Sequence, residues 1–308
     1  MSELCASALR AKRAALLGRW GPLAPLAPLA SLASTASLGP SGTSARGPSD
    51  RGRKIGEGGF SSVYAINDEV VCKVIKRKFS DFDFRDGPSA HFPGAASREL
   101  AIHRLANAAF SRGLTDHVVL LSSATSHKME TRLFLERFDC SLYDLPGRMR
   151  VDDSVLRSVA MQALHGYEAM RRHFGFFSPD FEPTNVLVRA DPDCPETWCW
   201  GRLTVPSCGL LACIADFGMC HVDGPTGPTG PSDRRDEGLP PFSFLDAVAA
   251  LATKHGISGP FTRSVETILA EYVLYKKPYP GAGSRNLRPV ALSSTVSIPR
   301  IMAMLDRK

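Results

Sequence analysis

Residues 177–188 read Phe177-Ser178-Pro179-Asp180-Phe181-Glu182-Pro183-Thr184-Asn185-Val186-Leu187-Val188, and a second stretch, after the apolar run Leu210–Ile214, reads Ile214-Ala215-Asp216-Phe217-Gly218. In the first, an aspartate and an asparagine stand five apart on a proline-stiffened loop that runs into a short strand. Asp180 can accept a proton, and Asn185 can offer its carbonyl oxygen to a hard cation. In the second, a strand ends in a carboxylate able to hold Mg²⁺, with Phe217 to pack inward and Gly218 to free the backbone.

Upstream, Ile55-Gly56-Glu57-Gly58-Gly59-Phe60-Ser61-Ser62-Val63 sets glycines one residue apart, so that backbone N–H groups can approach phosphate oxygens with no Cβ in the way. A plain hairpin tip is the alternative reading. The glycines lead into strand, turn, strand (Ser61–Ile66, Asn67-Asp68-Glu69, Val70–Ile75), whereas a Rossmann turn or a P-loop feeds a helix. Lys73 lies inside that second apolar strand. A buried ammonium needs a partner, and Glu99, in a helical stretch over 95–110, is the natural one; a surface lysine on an edge strand is the alternative.

In this order the motifs resemble those of the eukaryotic-type protein kinase family: Gly-rich loop, strand lysine, helix glutamate, Asp-x-x-x-x-Asn catalytic loop and Asp-Phe-Gly. Glu136-Arg137-Phe138, after Leu133-Phe134-Leu135, looks like the hinge that hydrogen-bonds adenine. Ser141–Leu145 resembles the short helix after it, and Val155–Arg172 the long helix leading into the catalytic loop. The resemblance covers 54–220 and thins beyond, where Asp246 resembles the buried aspartate that anchors the catalytic loop.

The resemblance implies an α+β, bilobal protein-kinase-like fold, with a small, mainly β N-lobe over 54–138 and a reduced, mainly α C-lobe over 139–308. It implies ATP and Mg²⁺ as cofactors, and serine or threonine hydroxyls of a protein substrate as acceptors. The loop Ile55 to Val63 would cover the phosphates, Lys73 held by Glu99 would orient them, and Glu136 would meet the adenine. Asn185 and Asp216 would hold Mg²⁺, and Asp180 would take the hydroxyl proton.

The departures are specific. Ser61 stands for the third glycine, Ser178-Pro179 for the His-Arg before the catalytic aspartate, and Glu182 for the lysine two residues after it. There is no Ala-Pro-Glu triplet downstream, and only 92 residues come after Asp216. Such erosion resembles the divergent kinases of large DNA viruses, which would place the protein inside a host cell. Pro179 carries no charge to catch a phosphate, so activity is expected not to need phosphorylation of Thr226 or Thr229 in the Gly/Pro-rich segment after Asp216. Two other classes stay open: a pseudokinase acting as an ATP-binding scaffold, and a small-molecule kinase of the aminoglycoside or choline type.

The chain is 308 residues long with a formal charge of +6, 44% hydrophobic and 22% charged, which excludes a wholly disordered chain. The basic surplus is too diffuse for a nucleic-acid binder, and no run of 18 apolar residues is free of charge or proline, so neither nucleic acid nor a membrane is expected as a partner. An intracellular, soluble protein is the expectation. Pro22, Pro25 and Pro28 recur every third residue, and residues 1–53 read as a disordered low-complexity leader, of which residues 1–50 can be deleted without unfolding the rest. Arg10, Lys12, Arg13 and Arg19 give that leader a faint likeness to a transit peptide. Cys194, Cys199, Cys208, Cys213 and Cys220 lack zinc-ribbon spacing and read as a thiol-lined inserted hairpin, with Cys213 in the core.

Overall fold

The structure is a computed structural model that describes residues 2–18, 52–58, 61–76, 95–126, 130–222, 239–273 and 297–306. It is a mixed α+β molecule with antiparallel sheets. The strands β1 (Arg53–Glu57), β2 (Ser61–Ala65), β3 (Val70–Lys76), β4 (Leu121–Ser126) and β5 (Glu130–Glu136) form one sheet in the order β1-β2-β3-β5-β4. β3 is central and buried at every residue but the last, which is why it reads as an unbroken apolar run interrupted only by Lys73. The turn into it is set by Asn67, whose Oδ1 accepts from the backbone N–H of Glu69 and of Val70 at 2.9 and 2.8 Å.

The helix α2 (Ala95–Ser111) carries Ile102, Leu105, Ala106, Ala109 and Phe110 into the core. Its buried Asn107 exchanges two hydrogen bonds with the backbone of Leu121, at 2.7 and 3.0 Å, so that its amide stays satisfied without water. The apolar run Val118–Leu121 reads as a strand, but Val118 makes only an isolated parallel bridge to Ile214, and β4 begins at Leu121.

A second, three-stranded sheet has the order β10-β7-β6, from β6 (Cys140–Ser141), β7 (Val186–Ala190) and β10 (Leu210–Ile214). Against it packs the helix α3 (Asp153–Phe174), N-capped by Asp152, which accepts from the Val155 N–H at 2.9 Å, and stopped by Gly175 at φ 61°. Asp153 also receives the backbone N–H groups of Phe261 and Thr262, at 2.8 and 2.9 Å, and so fixes the start of α5 (Pro260–Val273) beside α4 (Leu239–His255). A short helix, α6 (Ile298–Leu305), closes the same core with Ile298, Ile301, Met302 and Leu305. Between β7 and β10, the inserted hairpin β8 (Thr197–Trp200) and β9 (Leu203–Pro206) lays Trp198 and Trp200 over His117, and Trp200 stacks on His165 at 4.4 Å. Cys213 is core, as the sequence reading expects; Cys199 and Cys208 are exposed thiols.

The largest correction is at the N-terminus. Residues 2–18 are not part of a disordered leader but form a helix, α1, that docks onto the rest of the chain. Leu9 and Leu16 are buried, and Arg13 is only 1% exposed. Residues 19–51, with the periodic prolines, lie outside the described residues. Among the described residues no helix is long and apolar enough to cross a membrane.

Candidate active site

β3, α2 and the loop after β10 bring three charged side chains together. Lys73 Nζ donates to Glu99 Oε1 at 2.7 Å and to Asp216 Oδ1 at 2.8 Å. Lys73 and Glu99 are 8% and 3% exposed. Burial alone would push the lysine down, but Glu99 and Asp216 outweigh it and hold the ammonium above its ordinary range. Burial likewise would raise the Glu99 carboxyl, and Lys73, then His103, carry it down instead. Lys73 is therefore a fixed cation rather than a base.

Asp216 sits at φ 54°, ψ 72°, a left-handed conformation that is uncommon for a residue with a Cβ. What holds it there is the burial of its neighbour: Phe217 is 1% exposed, with its ring edge-on to His103 at 4.7 Å and to Phe176 at 5.7 Å. A Cβ at Gly218 would come within 3.3 Å of the Glu99 carboxylate and 3.4 Å of that of Asp216, so the glycine keeps room between the two acids.

The loop 175–185 is anchored by aromatic stacking. Phe181 lies between Tyr167 of α3, at 4.6 Å, and Phe244 of α4, at 4.4 Å. That leaves Asp180 exposed, with its backbone carbonyl and Oδ2 accepting from Asn185 Nδ2 at 2.9 and 3.0 Å. The Asn185 backbone carbonyl in turn accepts from the N–H of Ala215 at 2.9 Å, which ties it to the residue before Asp216. The reading of Asp246 as the buried anchor is corrected: Asp246 is exposed, and the buried ring of Phe244 two residues earlier does the anchoring. The signal for it was an aromatic in the loop, Phe181, opposite aromatics in both helices.

The other expected site residues are more scattered. Ile55 is 44% exposed, Glu57 is exposed and paired with Lys54 at 2.8 Å, and Ser62 is buried. The Gly58 N–H donates to the Ser61 carbonyl at 2.8 Å, a tight turn; Gly59 and Phe60 at its tip lie outside the described residues, as do Thr226 and Thr229. Gly56 pairs with Val63 across β1 and β2. Glu136 ends β5 with its carboxylate fully committed: Arg13 Nε and Nη2 donate to it at 2.8 and 2.6 Å and Arg189 Nη1 at 2.8 Å. Its backbone N–H is taken as well, donating to the Leu120 carbonyl at 2.9 Å, so the Glu136 carboxylate and N–H are both engaged within the protein.

The donor set suits Mg²⁺ bound together with phosphate. Among the described residues no three His, Cys, Asp or Glu side chains stand close enough to hold a metal by themselves. Mg²⁺ is commonly held by one or two carboxylates plus substrate phosphates. Asp216 has its side chain 52% exposed, and among the described residues no group donates to the Oδ1 of the neighbouring Asn185. Glu99 and Asp216 together outnumber Lys73, a surplus of negative charge at the open end. No protein-family model matches the chain, and no curated protein matches it in sequence.

Proposed function

We propose that the chain is an ATP-dependent protein kinase of bilobal kinase-like fold, with its N-lobe over 54–138, its C-lobe over 139–308, and serine or threonine hydroxyls as acceptors. The observation that carries this reading is the Lys73 ammonium, buried between Glu99 and Asp216 at 2.7 and 2.8 Å, beside a loop in which Asn185 orients Asp180. Under it, Lys73 offers its charge to the α and β phosphate oxygens and the backbone of Gly56 and Gly58 covers the phosphates. Asp180 Oδ1, which no group contacts among the described residues, draws the proton from the acceptor hydroxyl. Asn185 and Asp216 would hold Mg²⁺, which neutralises phosphate charge when bound.

The test is transfer of radiolabel from ATP to a panel of proteins and peptides, with Asp180→Asn as control. Turnover of the variant should fall by ~10²–10⁴ with nucleotide affinity nearly unchanged, because a base acts mainly in the transition state. One observation favours a second reading, an ATP-binding scaffold: Glu182 is exposed two residues past Asp180 and sets a negative charge where the family carries a lysine. Binding of Mg²⁺-ATP without any transfer would select the scaffold, and Glu182→Lys should raise transfer if the enzyme reading holds.

A further inference from the structure

Among the buried titratable side chains that the proposed chemistry leaves unused, His103 of α2 bears on two residues of the site. It is fully buried, and neither of its ring nitrogens has a hydrogen-bond partner. An unpartnered imidazole in a core costs stability that an apolar side chain of similar size would not. Its place is specific all the same. Glu99 and His103 stand four residues apart and so share one face of the helix, with His103 Nε2 at 3.8 Å from Glu99 Oε1. That is the same carboxylate oxygen that accepts from Lys73 at 2.7 Å. The imidazole also meets the Phe217 ring edge-on at 4.7 Å. His103 therefore links the residue that holds Lys73 to the one whose burial holds the Asp216 backbone.

We infer that His103 is a positioning residue for Glu99: its Nε2–H is a second donor to the carboxylate, engaged when Lys73 turns to phosphate. The inference rests on the kinase reading above. Hydrogen bonds of this kind run to about 3.2 Å, so the 3.8 Å contact is open, and a shift of less than about 1 Å closes it. Lys73 holds both acids here, Glu99 at 2.7 Å and Asp216 at 2.8 Å. Under the proposed function its charge is shared with phosphate oxygens, which slackens its hold on Glu99. Glu99 is only 3% exposed, so water does not make up the difference. Among the described residues, His103 is the only other group in ion-pair reach of that carboxylate able to donate to it. Donor and acceptor ride on the same helix, so closing the contact takes a turn of side chains and no movement of α2.

Two variants of the full chain test this, His103→Leu, which removes the donor and fills the same space, and His103→Gln, which keeps an N–H. His103→Leu should leave the melting temperature equal or higher, because an unpartnered polar group leaves the core. It should nonetheless lower kcat for phosphate transfer about tenfold with KM for the acceptor within about twofold of native, the pattern of a contact made in the transition state. His103→Gln should recover at least half of the native kcat. NMR of protein labelled in its histidine nitrogens gives a readout apart from turnover. The His103 signal, identified by its loss in His103→Leu, should move toward its hydrogen-bonded value when Mg²⁺ and a non-hydrolysable ATP analogue are added. Native kcat in His103→Leu, a fall of its melting temperature together with kcat, a His103→Gln as impaired as His103→Leu, or a ring signal unmoved by the bound analogue would each overturn the inference. A signal that moves in a chain that transfers no phosphate would leave His103 in its role and remove the enzyme reading. Transfer with the signal unmoved would do the reverse.

Discussion

Two ion networks in this molecule have the same parts in opposite proportion. In one, Glu136 lies between Arg13 and Arg189; in the other, Lys73 lies between Glu99 and Asp216. The first is closed. Arg13 and Glu136 are 1% and 2% exposed, and the carbonyls of Asp116 and Val118 accept two more of the guanidinium hydrogens, so that each of its nitrogens has a partner. The second is open at one end, where Asp216 is 52% exposed and the negative charge is in excess. Both are buried acids beside cations, so burial does not tell them apart. What does is completeness: a network with every polar atom satisfied has nothing left for a ligand, while a surplus charge facing solvent has.

Breaking each network in turn should therefore give opposite results. Asp216→Asn is expected to lower phosphotransfer by ~10²–10⁴ and to abolish the Mg²⁺ dependence of nucleotide binding, while unfolding in urea changes by no more than about 1 kcal/mol because the side chain is half exposed. Arg13→Met should do the reverse. It leaves Glu136 buried with one cation fewer, a loss of about 3–5 kcal/mol, read as a drop in melting temperature of about 10 °C. Deleting residues 2–18 should cost at least as much, since Leu9 and Leu16 leave the core with it. A stable Arg13→Met, or an unfolded Asp216→Asn, would erase the distinction.

The Lys73–Glu99 pair of the open network was legible in the sequence; the bond from Lys73 to Asp216 and the whole closed network were not. Lys73, Glu99, Asp180, Asn185 and Asp216 stand at fixed spacings inside short apolar strands and loops, where local pattern and chemistry agree. The strands β2, β3, β7 and β10 and the helices α2 and α3 were readable for the same reason. α1 was obscured by its context: four basic residues and a run of period-three prolines just after it make the whole segment look unstructured. Its worth lies in a partner 123 positions away, Glu136, and no local pattern carries such a contact. Asp246 failed in the opposite way. An acidic residue at the expected distance drew the assignment, while the anchoring came from the apolar ring of Phe244, which reads as ordinary core. The role of the inserted hairpin was hidden too, because Trp198 and Trp200 meet His117 and His165 only after β8 folds back.

That aromatic cluster gives a pH test that separates imidazoles from both networks. Burial holds the His165 imidazole down at about 4, and His117 lies well below its ordinary value, also through burial and then through His165. A histidine whose folded value is depressed contributes stability that is full above its unfolded pKa, ~6.5, and is lost as pH falls toward the folded one. Glu99 and Glu136 are also depressed, but their contribution is lost only below ~4.5, the ordinary glutamate range. Between pH 6.5 and 4.5 the histidines act alone. Urea unfolding should lose about 2 kcal/mol between pH 7 and 5 from His165, more with His117, and His165→Phe should flatten that slope. A flat profile in the native protein would show that the two rings are hydrated.

The smallest effect is expected one residue from the largest structural one. Lys12 lies beside Arg13 on α1 and reaches Asp191 at 3.1 Å and Asp193 at 3.4 Å, but its side chain is 47% exposed. Asp191 is buried, and it keeps Arg189 at 3.0 Å and the Asp193 N–H at 3.1 Å when the lysine is gone. No buried charge is stranded, so Lys12→Ala should cost no more than about 1 kcal/mol. Added salt sharpens the contrast, because exposed pairs are screened within a Debye length of ~4–5 Å at 0.5 M and buried ones are not. At ~0.5 M NaCl the cost of Lys12→Ala should vanish, while that of Arg13→Met should persist. Were Lys12→Ala as costly as Arg13→Met, or were both costs to fade together in salt, α1 would be held by surface attraction, and the closed network would lose its claim to be what docks the helix.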